Sequence, residues 1–343
     1  MKIVADKHIP FLEGVFEPYA EVVYMDGRSI SHEDIIDADA LIIRSRTRCD
    51  SVLLDGTSVS MIATAAIGMD HIDIEYCRRH DIEVINAQGC NAGGVMQYVF
   101  SALYGVAARK FIKLTDYTFG IIGVGDVGKK VESLARYLGF KVLLCDPPRA
   151  EAEGPEGFCS LDHLLVNSQI VTLHVPLDDT TRGMAGDDFF TAMQPGAIFI
   201  NTSRGEVVND EALMMAIPKL GAVVIDTWNH EPDVNDELID MVDIATPHIA
   251  GYSYQGKCNG TASAVQAVAK HFGIVDLYDF QPAPDGDHSP IVLDLKGKNQ
   301  GEVTAVFQYN YPIFTDDFRF RMEPHKFEKL RIDYKYRREI IVE

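Results

Sequence analysis

The sequence lacks several features that would place the protein in other functional classes. No run of about 18 apolar residues occurs, so no membrane-spanning helix is expected. Charge appears at once in the amino-terminal stretch, at Lys2 and Asp6, which is not the pattern of a secretory leader. The six cysteines form no CxxC pair and have no histidines at zinc spacing, which predicts reduced thiols in a cytoplasmic protein and no metal site.

Positive charge is also scarce, with 31 lysines and arginines against 51 acidic residues and a net charge of −20. This balance argues against a nucleic-acid partner, because binding to phosphates dominates the affinity of such proteins. The net negative charge of the chain would repel an anionic substrate, so binding such a substrate would require positively charged side chains at the site. The arginines near any predicted site therefore become candidates for substrate binding.

Short apolar runs alternate with amphipathic stretches over the first 280 of the 343 residues. Alternation of this kind predicts parallel sheets with crossover helices, and the length allows two or three domains. Buried strands are predicted in two series, at residues 1–5, 21–25, 40–44, 60–65, 82–86, 118–123, 140–145, 170–174, 197–201, 222–226 and 243–245. The fold class predicted is α/β, with two doubly wound parallel-sheet domains.

Two predicted helices, at residues 93–110 and 260–272, flank the second strand series. The chain is therefore expected to leave its first domain, build the second and return. The first domain is predicted to comprise residues 1–93 and 253–280, and the second to comprise residues 94–252.

The remaining residues, 281–343, are predicted to form a small α+β third domain. A segment rich in proline, aspartate and glycine, residues 281–290, has the composition of a linker. Apolar residues then alternate from Val303 to Tyr311, which predicts a strand, and a basic run follows at residues 326–338.

A dinucleotide-binding pattern opens the second strand series: Gly123-Val-Gly125-Asp126-Val127-Gly128. A GxGxxG motif alone is weak evidence for dinucleotide binding. Here a strand precedes the motif, and it is followed by a helix, a second strand and an acidic residue, Asp146. The three glycines would give a tight turn, close approach of a pyrophosphate and close helix–strand packing, and the helix N-terminus would offer N–H groups to phosphate. Asp146 would accept the ribose hydroxyls and repel a 2′-phosphate, which favours NAD over NADP.

Polar residues follow three apolar strands further along the chain, and they include Arg204, Glu231 and His248. The carboxyl edge of a doubly wound sheet is where ligands bind. A guanidinium can grip a carboxylate with two hydrogen bonds, and an imidazole can exchange a proton with a hydroxyl near neutral pH. A carboxylate bonded to that imidazole would orient it. Taken singly, each residue is more often a surface, turn or loop residue.

These segments, with His174-Val-Pro176 and the glycine pattern, resemble the D-isomer-specific 2-hydroxyacid dehydrogenases over roughly residues 1–275. The resemblance implies a flavodoxin-like substrate domain and a Rossmann NAD domain. It implies that Arg204, Glu231 and His248 act together while hydride moves between nicotinamide and C2 of a 2-hydroxy acid. It also implies that Asp226 holds the nicotinamide amide and that the cofactor is lined by Thr172, Thr202, Ser203 and Gly251.

Further segments resemble one branch of that family, which acts on a phosphorylated 2-hydroxy acid on the route to pyridoxal phosphate. They include Arg44-Ser45, residues 144–149 and 248–252, and the tail at residues 327–339. The resemblance implies substrate contacts from Ser45, Thr64 and Tyr252 and a homodimer built by the tail.

Arg44 and Arg46 are candidate phosphate ligands, and alternation along a strand would place them on one face. The alternative is that both are solvated residues at a sheet edge.

Two other functions stay open at this point. One is a different member of the family, such as a 3-phosphoglycerate dehydrogenase. The other is a non-catalytic, NAD(H)-sensing interaction protein on the same fold. The complete Arg-Glu-His set favours an enzyme, and a methyltransferase with a glycine-rich loop is disfavoured by Asp146 together with that set.

Overall fold

Strands and helices alternate along the chain in the computed structural model, which describes residues 1–283 and 285–343. Pro284, within the predicted linker, lies outside the described residues. The strands are β1 (Lys2–Asp6), β2 (Glu21–Met25), β3 (Ala40–Ile43), β4 (Met61–Thr64), β5 (Glu83–Asn86), β6 (Thr118–Ile122), β7 (Lys141–Cys145), β8 (Ile170–Leu173), β9 (Ile198–Asn201), β10 (Ala222–Ile225), β11 (Ile244–Ala245), β12 (Ile291–Leu293) and β13 (Ile340–Val342).

The helices begin and end as follows: α1 (His32–Ile35), α2 (Ser51–Leu54), α3 (Ile74–Arg79), α4 (Ala92–Arg109), α5 (Asp126–Tyr137), α6 (Pro147–Glu153), α7 (Leu161–Asn167), α8 (Asp187–Ala192), α9 (Asp210–Ala216), α10 (Asp236–Met241), α11 (Tyr254–Phe272), α12 (Gln300–Asn310), α13 (Ile313–Met322) and α14 (Phe327–Ile332). Short 3₁₀ turns occur at Gly205–Val207, Ile217–Lys219, Val275–Leu277 and Pro324–Lys326. Within the described residues, no helix combines the length and the apolarity needed to cross a bilayer.

The described residues fall into two compact units. Unit 1 comprises residues 1–91 and 253–289, and unit 2 comprises residues 92–252 and 290–343. The segment expected as a third domain is therefore divided, and most of it packs in unit 2.

Unit 1 contains a five-stranded parallel sheet in the order β2-β1-β3-β4-β5, which is the flavodoxin-like order. The strand at the centre of this sheet, β3, is apolar and buried at all four positions because both faces of the sheet are covered. Helix α11 covers one face, where Val265 and Val268 share a core with Ile3 and Ile42.

Unit 2 contains a six-stranded parallel sheet in the order β11-β10-β9-β8-β6-β7. From β6 the chain adds β7 on one side and then crosses to β8 on the other, so the strand order reverses between β6 and β8. In open α/β sheets, ligands bind outside the carboxyl ends of the strands at such a reversal. Both sheets confirm the predicted fold class.

The strand predicted between Val303 and Tyr311 is wrong, because these residues belong to helix α12 and the turn after it. The alternating apolar positions include 303, 307 and 311, which are also spaced by one helical turn. Those three side chains are buried, whereas Tyr309 on the other face is 88% exposed. A capping box of Asn299 and Glu302 starts the helix, and Phe307 stacks on Tyr104 of α4 with ring centroids 5.5 Å apart.

Candidate active site

The glycine loop, residues 123–128, lies at the reversal point of the unit 2 sheet, between the end of β6 and the start of α5. Gly123 has φ 84°, and a Cβ there would lie 2.7 Å from the backbone of His174. A Cβ on Gly128 would lie 2.2 Å from the Gly123 carbonyl oxygen, so the loop is tight on its inner side. A Cβ on Gly125 would meet nothing within 4 Å.

That open side fits a pyrophosphate, because the backbone at Gly125 can be approached closely and the N-terminus of α5 supplies N–H groups. Asp126 is exposed at the first position of the helix, and Val127 is half-buried beside it. The loop therefore fits the dinucleotide that the sequence pattern implies.

Asp146 is fixed beside the loop by two backbone hydrogen bonds. One carboxylate oxygen accepts the N–H of Val124 at 2.7 Å, and the other accepts the N–H of Arg149 at 3.1 Å and caps α6. The Arg149 guanidinium is bound bidentately to Glu153 at 2.8 and 2.6 Å, and it donates to the Val124 carbonyl at 2.8 Å. These hydrogen bonds hold the Asp146 carboxylate beside the glycine loop, at the end of β7.

His174 bridges two of the threonines assigned to the cofactor site. Its Nε2 lies 3.1 Å from the Thr172 hydroxyl, and its Nδ1 lies 3.3 Å from the Thr202 hydroxyl. Burial lowers the pKa of His174 to about 3, so the ring is neutral near pH 7. A neutral ring with both nitrogens on hydroxyls orients these two side chains.

Arg204 follows β9 in a turn that hydrogen bonds hold in place. The side chain of Asn201 accepts the N–H and the hydroxyl of Ser203 and donates to the Arg204 carbonyl at 3.0 Å. A Cβ on Gly205 would lie 1.9 Å from the carbonyl carbon of Trp228. Because glycine occupies that position, the backbone next to Arg204 lies directly against the segment that leads to Glu231.

Glu231 and His248 form a direct pair. The Nδ1 atom of His248 lies 2.8 and 3.0 Å from the two carboxylate oxygens, and one of those oxygens also accepts the N–H of Trp228 at 3.0 Å. With Nδ1 bound in this way, Nε2 is the nitrogen left to exchange a proton with a ligand. His248 has φ 56°, a left-handed backbone that is uncommon outside glycine and that concentrates at functional sites.

The Glu231 carboxylate is held in its ionised form. Burial raises the pKa of this group, but the charge and hydrogen bond of His248, the charge of Arg331 and the Trp228 N–H together outweigh burial, so the pKa lies below its ordinary value. The ionised carboxylate of Glu231 therefore orients the His248 ring in the way that a histidine general base requires.

Asp226 organises the backbone that carries His248. Its carboxylate accepts the N–H groups of Ile249 and Ala250 at 2.8 and 2.9 Å and the hydroxyl of Thr246 at 2.6 Å. The Tyr98 hydroxyl lies 2.6 Å from that of Thr246, and because Thr246 donates to Asp226, Tyr98 is the donor. Burial raises the pKa of Asp226, and the His248 charge and these hydrogen bonds partly offset the effect.

The C-terminal segment, residues 290–343, also supports the site. The buried Arg337 guanidinium donates to the carbonyls of Ile249 and Tyr252, each at 3.2 Å, to that of Gly94 at 2.9 Å and to that of Ala250. Gly251, assigned to the cofactor, lies within this fixed turn. These contacts were not predicted from the sequence, because the basic run at residues 326–338 does not single out Arg337 from its neighbours.

Unit 1 carries the other predicted substrate residues. Strand β3 ends at Ile43, so Arg44, Ser45 and Arg46 lie in a turn, and the expected strand alternation between the arginines is wrong. Arg44 forms a bidentate ion pair with the fully buried Asp6 at 2.8 and 3.2 Å.

Thr64 ends β4 and is fully buried. Within the described part of the chain, its hydroxyl has no hydrogen-bond partner. A buried hydroxyl left in this way is a good candidate for contact with a ligand.

Comparison with known proteins agrees with this geometry. Residues 103–250 match the family model of the D-isomer specific 2-hydroxyacid dehydrogenase NAD binding domain. The erythronate-4-phosphate dehydrogenase of Bacteroides fragilis is 43% identical over 99% of this chain and 97% of its own length, and that of Yersinia pestis is 39% identical over 99% and 93%. The NAD⁺-bound 3-phosphoglycerate dehydrogenase of Entamoeba histolytica superposes with a TM-score of 0.68 at 29% identity, over 83% of this chain and 99% of that protein.

Proposed function

This chain belongs to the D-isomer-specific 2-hydroxyacid dehydrogenase family, among the erythronate-4-phosphate dehydrogenases, and we propose that it oxidises 4-phospho-D-erythronate to 2-oxo-3-hydroxy-4-phosphobutanoate. The enzyme is an NAD-dependent dehydrogenase, and the reaction serves the biosynthesis of pyridoxal 5′-phosphate. The observation that carries the proposal is the Glu231–His248 pair, whose 2.8 Å hydrogen bond lies at the carboxyl edge of a sheet that also bears the dinucleotide loop.

The residues of the pair divide the proton chemistry between them. When bound, NAD⁺ would supply the acceptor for the hydride that leaves C2 of the acid. His248 takes the proton of the C2 hydroxyl at Nε2, so that the C2–O bond becomes a carbonyl. Glu231 keeps the Nδ1–H hydrogen bond and stabilises the imidazolium that forms.

Arg204 grips the substrate carboxylate and polarises the developing carbonyl. Asp226 holds the nicotinamide amide in addition to the backbone that it already fixes. Asp146 accepts the ribose hydroxyls. The remaining cofactor contacts come from Gly123, Gly125, Asp126, Val127, Gly128, Thr172, Thr202, Ser203 and Gly251.

Substrate contacts are assigned to Ser45, Thr64 and Tyr252, with phosphate contacts from Arg44 and Arg46. The buried hydroxyl of Thr64 supports its role. Asp6 already balances the charge of Arg44, so a phosphate would meet a compensated cation there.

The test is NADH formation from 4-phospho-D-erythronate, followed by absorbance, with identification of the 2-oxo acid by mass spectrometry. D-Erythronate, which lacks the phosphate, and 3-phospho-D-glycerate are the comparators. We expect turnover to be highest on the phosphorylated four-carbon acid. Higher turnover on 3-phospho-D-glycerate would identify a different family member, and NADH binding without any turnover would favour a sensing protein.

We also infer that the protein is a homodimer in the cytoplasm. Large apolar side chains of the C-terminal segment are exposed, including Phe318 and Met322 one turn apart on α13, at 62% and 64%. Val292 and Ile341 are partners in the β12–β13 pairing and are 56% and 50% exposed. Exposed apolar patches of this kind often mark interfaces. The scattered spacing of the six cysteines in the sequence, with no CxxC pair, supports a reducing compartment.

The dimer is tested on the full-length chain, because residues 303, 307 and 313 belong to the core of unit 2 and truncation would remove them. Light scattering is expected to give the mass of two chains. The double variant Phe318→Glu, Met322→Glu should shift that mass towards one chain, and Val275→Glu, at an exposed position in unit 1, should leave it unchanged. A double variant that keeps the full dimer mass would place the contact elsewhere.

A further inference from the structure

A buried cation, Arg331, faces the Glu231–His248 pair from the C-terminal segment. Arg331 lies on α14 with only 9% of its side chain exposed, and its Nη1 is 3.9 Å from a carboxylate oxygen of Glu231. The guanidinium lies over the rings of Tyr252, at 5.8 Å, and Phe327, at 5.6 Å. The same Nη1 is 3.9 Å from a carboxylate oxygen of Glu328.

Packing fixes this arrangement. Phe327, at the start of α14, is 1% exposed and contacts Phe320 edge-on with ring centroids 5.7 Å apart. Phe320 in turn packs on Trp228, whose backbone N–H binds Glu231 and whose indole N–H binds the Thr246 carbonyl at 2.8 Å. The helix that carries Arg331 is thereby anchored to both segments that carry the pair.

We propose that Arg331 is a positioning residue: it supplies the fixed counter-charge of the Glu231–His248 pair and so sets the pH range in which His248 can accept a proton. The kinetic part of this inference rests on the proposed function.

The charge on the Glu231–His248 pair changes during the reaction. Before proton transfer the imidazole is neutral, so Glu231 is a partly buried carboxylate that a charged imidazole does not yet balance. Arg331, which stays protonated at all accessible pH, stabilises that state. After proton transfer the pair is neutral as a whole, and Arg331 contributes less. The fixed cation therefore favours the state in which His248 is ready to act as a base.

Other charged and titratable groups also lie around the pair. Asp226 faces His248 from the end of β10, and its charge favours the protonated imidazole. Glu328 opposes Arg331 from the same helix. Tyr252 contributes a ring face to the guanidinium.

The 3.9 Å separation leaves the carboxylate oxygens to the shorter hydrogen bonds from His248 and Trp228. The contribution of Arg331 to the pair is therefore electrostatic.

The test is the pH profile of kcat/KM for oxidation of 4-phospho-D-erythronate by the full-length enzyme. Removing the charge with Arg331→Gln should move the midpoint of the acidic limb to higher pH by about one unit, the scale for one nearby charge. Arg331→Lys keeps the charge and should stay within about three-tenths of a unit of the parent protein. Lys329→Gln, which removes an exposed cation from the same helix, should not move the limb.

Two further measurements keep the inference open to refutation. Glu328→Gln removes an acid that opposes Arg331, so it should move the midpoint in the opposite direction, to lower pH. The titration of the His248 imidazole, followed by NMR in the NAD-bound protein without substrate, should show the same shifts. This readout does not depend on turnover, so it still decides the role of Arg331 if the substrate assignment fails.

The proposal would be overturned if Arg331→Gln left both midpoints unchanged, that of the acidic limb of kcat/KM and that of the His248 titration. Trp228 fluorescence and NADH binding would show that this variant is folded. Equal shifts in Arg331→Lys and Arg331→Gln would also overturn the proposal, because the fixed charge would then not be the property that matters. If Arg331→Gln does not fold, the direction of the shift in Glu328→Gln decides the question.

Discussion

The sharpest consequence of the site geometry concerns the amide variant Glu231→Gln. The two side chains have nearly the same shape, so the packing around residue 231 should survive. The carboxylate accepts hydrogen bonds from both His248 Nδ1 and the Trp228 N–H, but the amide presents one acceptor and one donor. If the amide oxygen stays on the Trp228 N–H, its NH₂ group faces Nδ1.

An NH₂ donor opposite Nδ1 forces the imidazole into the tautomer with the proton on Nε2. Nε2 is the nitrogen that must accept the substrate proton, so the base is blocked. Loss of general base catalysis costs about 10²–10⁴-fold in rate, which corresponds to about 3–5 kcal/mol in the barrier, and a wrong tautomer lies near the upper limit of about 10⁴-fold. We expect kcat to fall by that factor while the Kd for NADH changes by less than about threefold.

The assay is single-turnover NADH formation, with NADH binding measured by fluorescence. Glu237→Gln, at an exposed position on α10 in the same unit, is the matched control and should keep parent kinetics. A Glu231→Gln enzyme that retains more than about one-tenth of parent turnover would refute the tautomer argument, because that loss is well short of the lower limit for a missing base.

Three further predictions follow from the same geometry. Arg204→Lys keeps the charge but loses the bidentate grip, so kcat/KM should fall by about tenfold to 10²-fold with NADH binding intact, and parent kinetics would remove Arg204 from the carboxylate clamp. NAD should be preferred over NADP, and Asp146→Ser should narrow the ratio of their kcat/KM values; equal efficiency in the parent enzyme would contradict the role of Asp146. The pKa of His174 is about 3 in the folded protein and 6.5 without burial. Below pH 6.5 the unfolded chain therefore takes up a proton at His174 that the folded protein does not, and the free energy of unfolding falls as the pH drops towards 3. The free energy of unfolding, measured in urea by the fluorescence of Trp228, the only tryptophan, should fall by about 2 kcal/mol more between pH 7 and pH 5 in the parent protein than in His174→Gln. Equal decreases in the two proteins would show that His174 is not held neutral by burial.

The positions of the strands could be predicted closely, because parallel strands that are covered on both faces appear in the sequence as continuous apolar runs. The run at residues 118–123, for example, became β6, Thr118–Ile122. The glycine loop could also be predicted, because the strand before it, the helix after it and the acidic residue Asp146 are close together in the sequence. These features depend on neighbours in the chain, which a single sequence displays directly.

The tail could not be predicted in the same way. Positions 303, 307 and 311 satisfy both an alternating and a helical period, and the choice between them depends on packing against α4, about 200 residues earlier in the chain. The contacts of Arg337 with Ile249 and Tyr252 are likewise long-range, as are those of Arg331 with Glu231. A basic run is most often a solvated face, and nothing local distinguishes these two arginines from their exposed neighbours.

These two arginines also show how a chain of net charge −20 builds a site that needs positive charge. Burial of a guanidinium costs less where acceptors, opposite charge or aromatic faces surround it. Arg337 donates to backbone carbonyls, and Arg331 lies near the Glu231 carboxylate and over the Tyr252 ring. Each is linked to a turn or side chain that orients His248, so both cations act on the site without presenting their charge to solvent. The C-terminal segment is in this way part of the machinery that prepares the base, in addition to any part it takes in assembly.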